Sequence, residues 1–128
     1  MVFHHVGVDV SNFDKSVKLY DSVLSKLVIP SYDLPGHIAK AYGTTTCSFR
    51  IVQDDSRELS VSSSHICLAA PNEQAVKDFY KVGTSMGAEG VIEPAEYEDW
   101  GFRHLTAMIK DYDGNAIEAV FVDKGNKA

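Results

Sequence analysis

The spacing of apolar positions changes rhythm several times along the 128-residue chain, and it does so twice in the same order. The opening stretch HHVGVDV reads as a strand, in which neighbouring side chains point to opposite faces. From Phe13 the period lengthens. Phe13, Val17, Tyr20, Leu24 and Leu27 recur at steps of four and three, which is one face of a helix. Ser11 or Asn12 is placed to cap that helix, with Asp14 in its first turn. The same order returns further on: SHICLAAPNEQAVKDFY aligns under HHVGVDVSNFDKSVKLY with no gap at an offset of 60, so that His5 meets His65, Val6 meets Ile66, Val8 meets Leu68, Asn12 meets Asn72 and Tyr20 meets Tyr80. Pro71-Asn72 ends the second strand and caps a second helix with the stripe Ala75, Phe79, Val82 and Met86, and Gly87 stands where it should stop.

Strand-like segments follow each helix. In the first half they are a short strand near residues 27–32, a turn at Pro35-Gly36, and the runs HIAKAYG and CSFRIVQ. In the second they are GVIEPAE, RHLTAMIK, the turn DYDGN and AIEAVFV, with Asp113-Gly114 as a strong hairpin signal. EYEDWGF reads as a loop before the seventh strand, and DDSRELSVSSS as a polar linker. The chain is therefore expected to be α+β, a tandem βαβββ arrangement in one domain: module 1 over about 1–53, a linker at 54–63, and module 2 over about 64–123. One such unit cannot cover its own sheet, so two must pair, within a chain or across two.

Composition narrows the partners. The chain is 45% apolar and 23% charged, as soluble globular proteins are. A net charge of −6 argues against binding a phosphate backbone, and scattered lysines and arginines argue against an anionic membrane. No run has the length of a membrane span, and no leader pattern opens the chain. Cys47 and Cys67 make no disulfide framework and have no zinc-knuckle spacing, so a reducing, cytoplasmic setting is the expectation.

The paired openings HHVGVDV and SHICLAA, with the ending DYDGNAIEAVF, resemble the vicinal oxygen chelate superfamily of glyoxalase, bleomycin-resistance and extradiol dioxygenase proteins. The likeness spans essentially the whole chain. Tyr112 departs from it, standing where such proteins usually have the proline of Asp-Pro-Asp-Gly-Asn. The resemblance implies a curved mixed-sheet cleft that binds one divalent metal ion, and it places His5, His65 and Glu118 on the ligand positions of the first, fifth and eighth strands. Two imidazoles and a carboxylate suit Fe2+, Mn2+ or Zn2+. Glu118 adds weight of its own, because a charge within NAIEAVFV is unfavourable unless it is paired or ligated. By alternation His4 faces away from His5 and is structural. On the fourth strand the nearest matches to a further ligand are Ser48, Phe49 and Arg50, none of them a usual one, and Asp54 and Asp55 lie beyond the strand. That speaks against a glyoxalase I or epimerase mechanism and leaves a set similar to those of extradiol dioxygenases and manganese-dependent fosfomycin-resistance transferases.

Other residues are expected near that metal. Gly7 shares the face of His5 and leaves room. Cys67 lies beside His65, as a substrate contact or as a small buried apolar residue. His104, Thr106 and Met108 share one face of the seventh strand, where substrate contacts are implied; His104 is a candidate acid or base, or a rim histidine facing solvent. Tyr97 and Trp100 either pack in the core or line the cleft for an apolar ligand. The functional expectation is a homodimeric, metal-dependent enzyme acting on a small oxygen-chelating molecule, dioxygenase-like or lyase-type. The alternative is a metal-free, bleomycin-resistance-type protein that sequesters a small molecule.

Overall fold

The computed structural model describes residues 3–36, 38–44, 48–54 and 64–125. Most of the expected linker, together with Cys47 and Asp55, lies outside them. Strand β1 (His5–Val10) leads into helix α1 (Phe13–Ser25), followed by β2 (Ser31–Asp33), β3 (Ala39–Gly43) and β4 (Ser48–Gln53). The second module repeats this with β5 (His65–Ala69), α2 (Glu73–Ser85), β6 (Glu89–Asp99), β7 (Phe102–Lys110) and β8 (Ala116–Asp123). Each module makes a four-stranded mixed sheet, in the orders β1-β4-β3-β2 and β5-β8-β7-β6. β1 runs parallel to β4 and β5 to β8, and the remaining pairings are antiparallel.

The caps expected from the sequence are made. Asn12 Oδ1 accepts from the Lys15 amide at 3.2 Å, and Asn72 Oδ1 accepts from that of Ala75 at 2.8 Å. Gly87, at φ 91°, closes α2. The buried faces are turned relative to the expected stripes. Helix α1 buries Ser16, Leu19, Tyr20, Val23 and Leu24, while Leu27 packs from beyond its end; α2 buries Ala75, Val76, Phe79 and Gly83, leaving Val82 and Met86 at the margin. The two helices pack on one another, and Gly83 lies at a close approach of α2 to both α1 and β7. A Cβ there would lie 2.8 Å from Ile109 Cδ1 and 3.3 Å from Val23 Cγ1, so any larger residue would require those side chains to shift.

Two further expectations are corrected. The short strand placed near 27–32 forms at Ser31–Asp33, because Leu27 and Ile29 are drawn into the core beneath α1. EYED is not a loop: it continues β6, which reaches Asp99 and turns through Trp100-Gly101 directly into β7.

The DYDGN segment ties the modules together. The Asp111 carboxylate accepts from the amides of Asp113 (2.9 Å) and Asn115 (2.8 Å), from Asn115 Nδ2 (2.8 Å), and from the Tyr20 hydroxyl of module 1 (2.6 Å). Asn115 Nδ2 also donates to the Asp9 carbonyl at 3.0 Å. Tyr112 does not disturb the turn. Its hydroxyl reaches the Met86 carbonyl at 2.5 Å and its ring lies 4.0 Å beneath the Lys15 ammonium. Among the described residues no helix is long and apolar enough to cross a membrane.

Candidate functional site

Each sheet has a helix-packed face and an open one. On sheet two, Leu105, Ala107, Ile109, Ile117 and Ala119 point into the core, so alternation turns His104, Thr106, Met108 and Glu118 to the other side. Cys67 is the Cα partner of Glu118 across β5–β8, and Met108 is its partner across β7–β8. His65 and Cys67 complete the face from β5, and Tyr97, opposite His104, completes it from β6. Six of the residues singled out in this half are thus brought together around Glu118.

Glu118 is the fixed point. Its side chain is only 12% exposed, and Oε1 lies 2.7 Å from Nε2 of the more open His65. The Thr106 hydroxyl donates to the second oxygen, Oε2. This donor set fits a divalent cation: imidazole and carboxylate are ligands for first-row ions, and their donor atoms already converge. A hydroxyl on the far oxygen is the kind of outer contact that orients a ligating carboxylate.

The neighbours complete the chemistry. Tyr97 and His104 stack with ring centroids 4.9 Å apart at 22°. His104 Nδ1 donates to the Phe102 carbonyl at 3.0 Å, which leaves Nε2 as the atom able to hold or release a proton. Burial, and then the charges of Glu118, Cys67 and Asp99, raise the Tyr97 hydroxyl above its ordinary value. Cys67 is exposed rather than the small buried residue that was one expectation for it. Burial around its sulfur, and then Glu118, push the thiol up to about 11, so it stays protonated at neutral pH. It also borders a largely apolar cavity of about 360 Å³ between the modules, walled by Phe3, Val6, Leu24, Ile66 and Leu68. Nothing in the sequence pattern pointed to that cavity. Trp100 stands apart, 88% exposed at the tip of the β6–β7 hairpin and three residues beyond Tyr97.

His5 is not brought to the His65–Glu118 pair within the chain. Among the described residues, no three of His, Cys, Asp and Glu converge on one point. Nor does strand alternation separate His5 from His4. His4 precedes β1, and its Nδ1 comes within 3.0 Å of that of His5, the rings meeting edge to face.

The register of β1 on β4 decides among the three fourth-strand matches. His65 pairs with Ala116, and Glu118 is two residues further along β8. His5 pairs with Ser48, and Arg50 is two residues further along β4. Arg50 therefore holds in module 1 the place that Glu118 holds in module 2.

Similarity to solved structures follows the whole architecture. A glyoxalase/bleomycin resistance protein from Albidiferax ferrireducens T118 superposes with a TM-score of 0.78 at 24% identity, over 94% of this chain and 99% of that one. The chain has the glyoxalase/bleomycin resistance/dioxygenase fold. A glyoxalase/bleomycin resistance protein/dioxygenase family enzyme from Burkholderia phytofirmans PsJN shares this fold at a TM-score of 0.67 and 14% identity, over 93% of this chain and 97% of its own. The genomically encoded fosfomycin resistance protein FosX from Listeria monocytogenes gives 0.66 and 14%, over 94% and 93%. At such identities the likeness is one of fold. Neither a family model nor a curated protein sequence matches the chain.

Proposed function

We propose that this chain is a divalent-metal-dependent enzyme acting on a small molecule that presents neighbouring oxygens, of dioxygenase-like or lyase type. The observation that carries this reading is the His65–Glu118 pair, with its carboxylate anchored by Thr106, on the open face of a sheet whose fold also hosts enzymes. His65 Nε2 and Glu118 would hold Fe2+, Mn2+ or Zn2+, with His5 of a second copy of the chain as third ligand. When bound, the metal supplies a Lewis acid for the oxygens of the small molecule. The chain's own groups do the rest. Thr106 keeps Glu118 in one orientation. The Tyr97–His104 stack gives a flat wall against which an apolar or aromatic body can lie, and His104 Nε2 is placed to take or give a proton at that wall.

Metal content tests this directly. Protein purified without added metal and then titrated with Mn2+ or Zn2+ should bind one equivalent per chain. His65→Ala and Glu118→Ala should each lose most of it while keeping the fold, and His4→Ala should keep it. Loss in His4→Ala with retention in His5→Ala would exchange their roles. No uptake by the unaltered protein would turn the reading to a metal-free module that sequesters its ligand.

A further inference from the structure

Arg50 has no role in that scheme, yet the structure sets it at a chosen place. The two modules repeat, and the β1–β4 and β5–β8 registers make Arg50 the counterpart of Glu118. A guanidinium cannot ligate a metal, and it does not deprotonate. Where one module offers a metal-binding anion, the other offers a permanent cation.

Arg50 is half-buried, and no acidic group among the described residues neutralises it. Its cross-strand neighbours on the open face are Gly7 on β1 and Ala41 on β3, whereas those of Glu118 are Cys67 and Met108. Neither Gly7 nor Ala41, the directly opposed residues, carries a side chain longer than a methyl group, while His5 and Asp9 flank Gly7 on the same face of β1. Its Nε donates to Ser48 Oγ at 3.1 Å, which steadies the group and leaves the two terminal nitrogens to present their fork. Among the described residues no carboxylate forms an ion pair with it. Arg103, the other arginine among the described residues, is paired with Glu73 at 2.6 Å, Asp123 at 3.0 Å and Glu96 at 3.2 Å. In a chain with 18 acidic residues and a net charge of −6, a half-buried arginine with no acidic partner among the described residues calls for an explanation.

We infer that Arg50 binds a carboxylate of the ligand, so that the small molecule taken by this site is an anionic oxygen chelator such as a 2-hydroxy or 2-oxo acid. The planar fork of a guanidinium matches a carboxylate through two parallel hydrogen bonds. The inference rests on the proposed function in one respect, that His5 and its face of sheet one meet the His65–Glu118 pair of a second copy. Arg50 then lies across the site from Glu118, and the positive charge of metal plus arginine is balanced by the anion it receives.

The test compares lactate with its neutral isostere lactamide by NMR titration, first on metal-free protein and then with one equivalent of Zn2+. The unaltered chain should prefer lactate by roughly tenfold or more, the range of one charge-assisted contact. On the metal-free protein Arg50→Gln should abolish that preference and Arg50→Lys should keep part of it, and with Zn2+ bound Arg50→Gln should lessen it, both variants with unchanged thermal melts. Equal binding of the two probes, no lactate binding in either condition, or a preference left undiminished by Arg50→Gln would each overturn the inference. Zinc uptake in the same samples separates the two readings. Normal uptake without a lactate preference removes Arg50 alone, whereas an Arg50-dependent preference without uptake removes the metal and leaves Arg50 standing.

Discussion

Tyr20 and Tyr42 each bury a phenol against a carboxylate, and the consequence appears at high pH. Tyr20 is 1% exposed and donates to Asp111 Oδ2 at 2.6 Å; Tyr42, equally buried, donates to Asp21 Oδ1 at 2.9 Å. Burial first, and then the adjacent carboxylate, raise both hydroxyls well above the ordinary tyrosine range. In the unfolded chain both ionise near pH 10, while the folded chain still holds both protons. The unfolded state then binds fewer protons, so stability is intact below about pH 10 and falls as pH rises beyond it, by up to about 1.4 kcal/mol per pH unit for each tyrosine. Urea melts between pH 8 and 11.5 should show that fall, and Tyr20→Phe should lessen its slope by about one proton. An unchanged slope would mean that Tyr20 ionises in the folded protein and that Asp111 does not hold it. The sequence aligned Tyr20 with Tyr80 as equivalents, but it gave no sign that Tyr20 would fasten α1 to the DYDGN turn. That bond joins residues 91 positions apart, and local periodicity carries no information at that range.

The β6–β7 hairpin shows why some elements were legible and others were not. Strand β1 and the helix caps follow local rules, alternation and Asn at the N-cap, and they appear where the pattern put them. Strand β6 breaks those rules. Its pairing with β7 shifts between Gly90 and Ile92 and again between Ile92 and Ala95, and it carries Pro94, which an edge strand tolerates because no partner needs its missing N–H. Alternation therefore fails along its sequence although its backbone stays extended. The turn that ends it is also unusual. Trp100 and Gly101 have φ of 54° and 76°, the two-residue turn that favours Asn-Gly. A tryptophan in the left-handed region is strained by about 1–2 kcal/mol, and its ring is almost wholly exposed. Trp100→Asn should thus stabilise the isolated protein by about 1 kcal/mol, a rise of a few degrees in Tm. A drop in Tm would show that the indole is covered in solution and belongs to a contact surface. Arg50 was hidden for a related reason: Ser48, Phe49 and Arg50 are indistinguishable by pattern, and only the hydrogen-bonded register of β4 against β1 selects one. The internal repeat singles out His65 and an isolated charge in an apolar run singles out Glu118, but that the two side chains meet was implied only by the family resemblance and is seen in the β5–β8 pairing.

For the whole molecule, the proposed function poses the question of how His5 would reach a metal held by His65 and Glu118. Within one chain the three do not converge among the described residues, and β1 and β5 each end their own sheet as unpaired edges. On the proposed function a second copy would bring His5 to that pair, with module 1 of one chain facing module 2 of the other. This arrangement makes a demand on mixed dimers that no single-chain site can meet. A His5→Ala chain and a Glu118→Ala chain, each defective alone, are unfolded and refolded together. If each site takes His5 from one chain and Glu118 from the other, one site of every heterodimer inherits both lesions and its twin inherits none. Random pairing makes about half of the dimers mixed, and half of their sites are intact, so metal binding should return to about a quarter of the unaltered level. If each chain builds its own site, every site carries one lesion and mixing restores nothing. No recovery, with heterodimers confirmed by native mass spectrometry, would sink the shared site while leaving the His65–Glu118 pair as a metal-binding candidate.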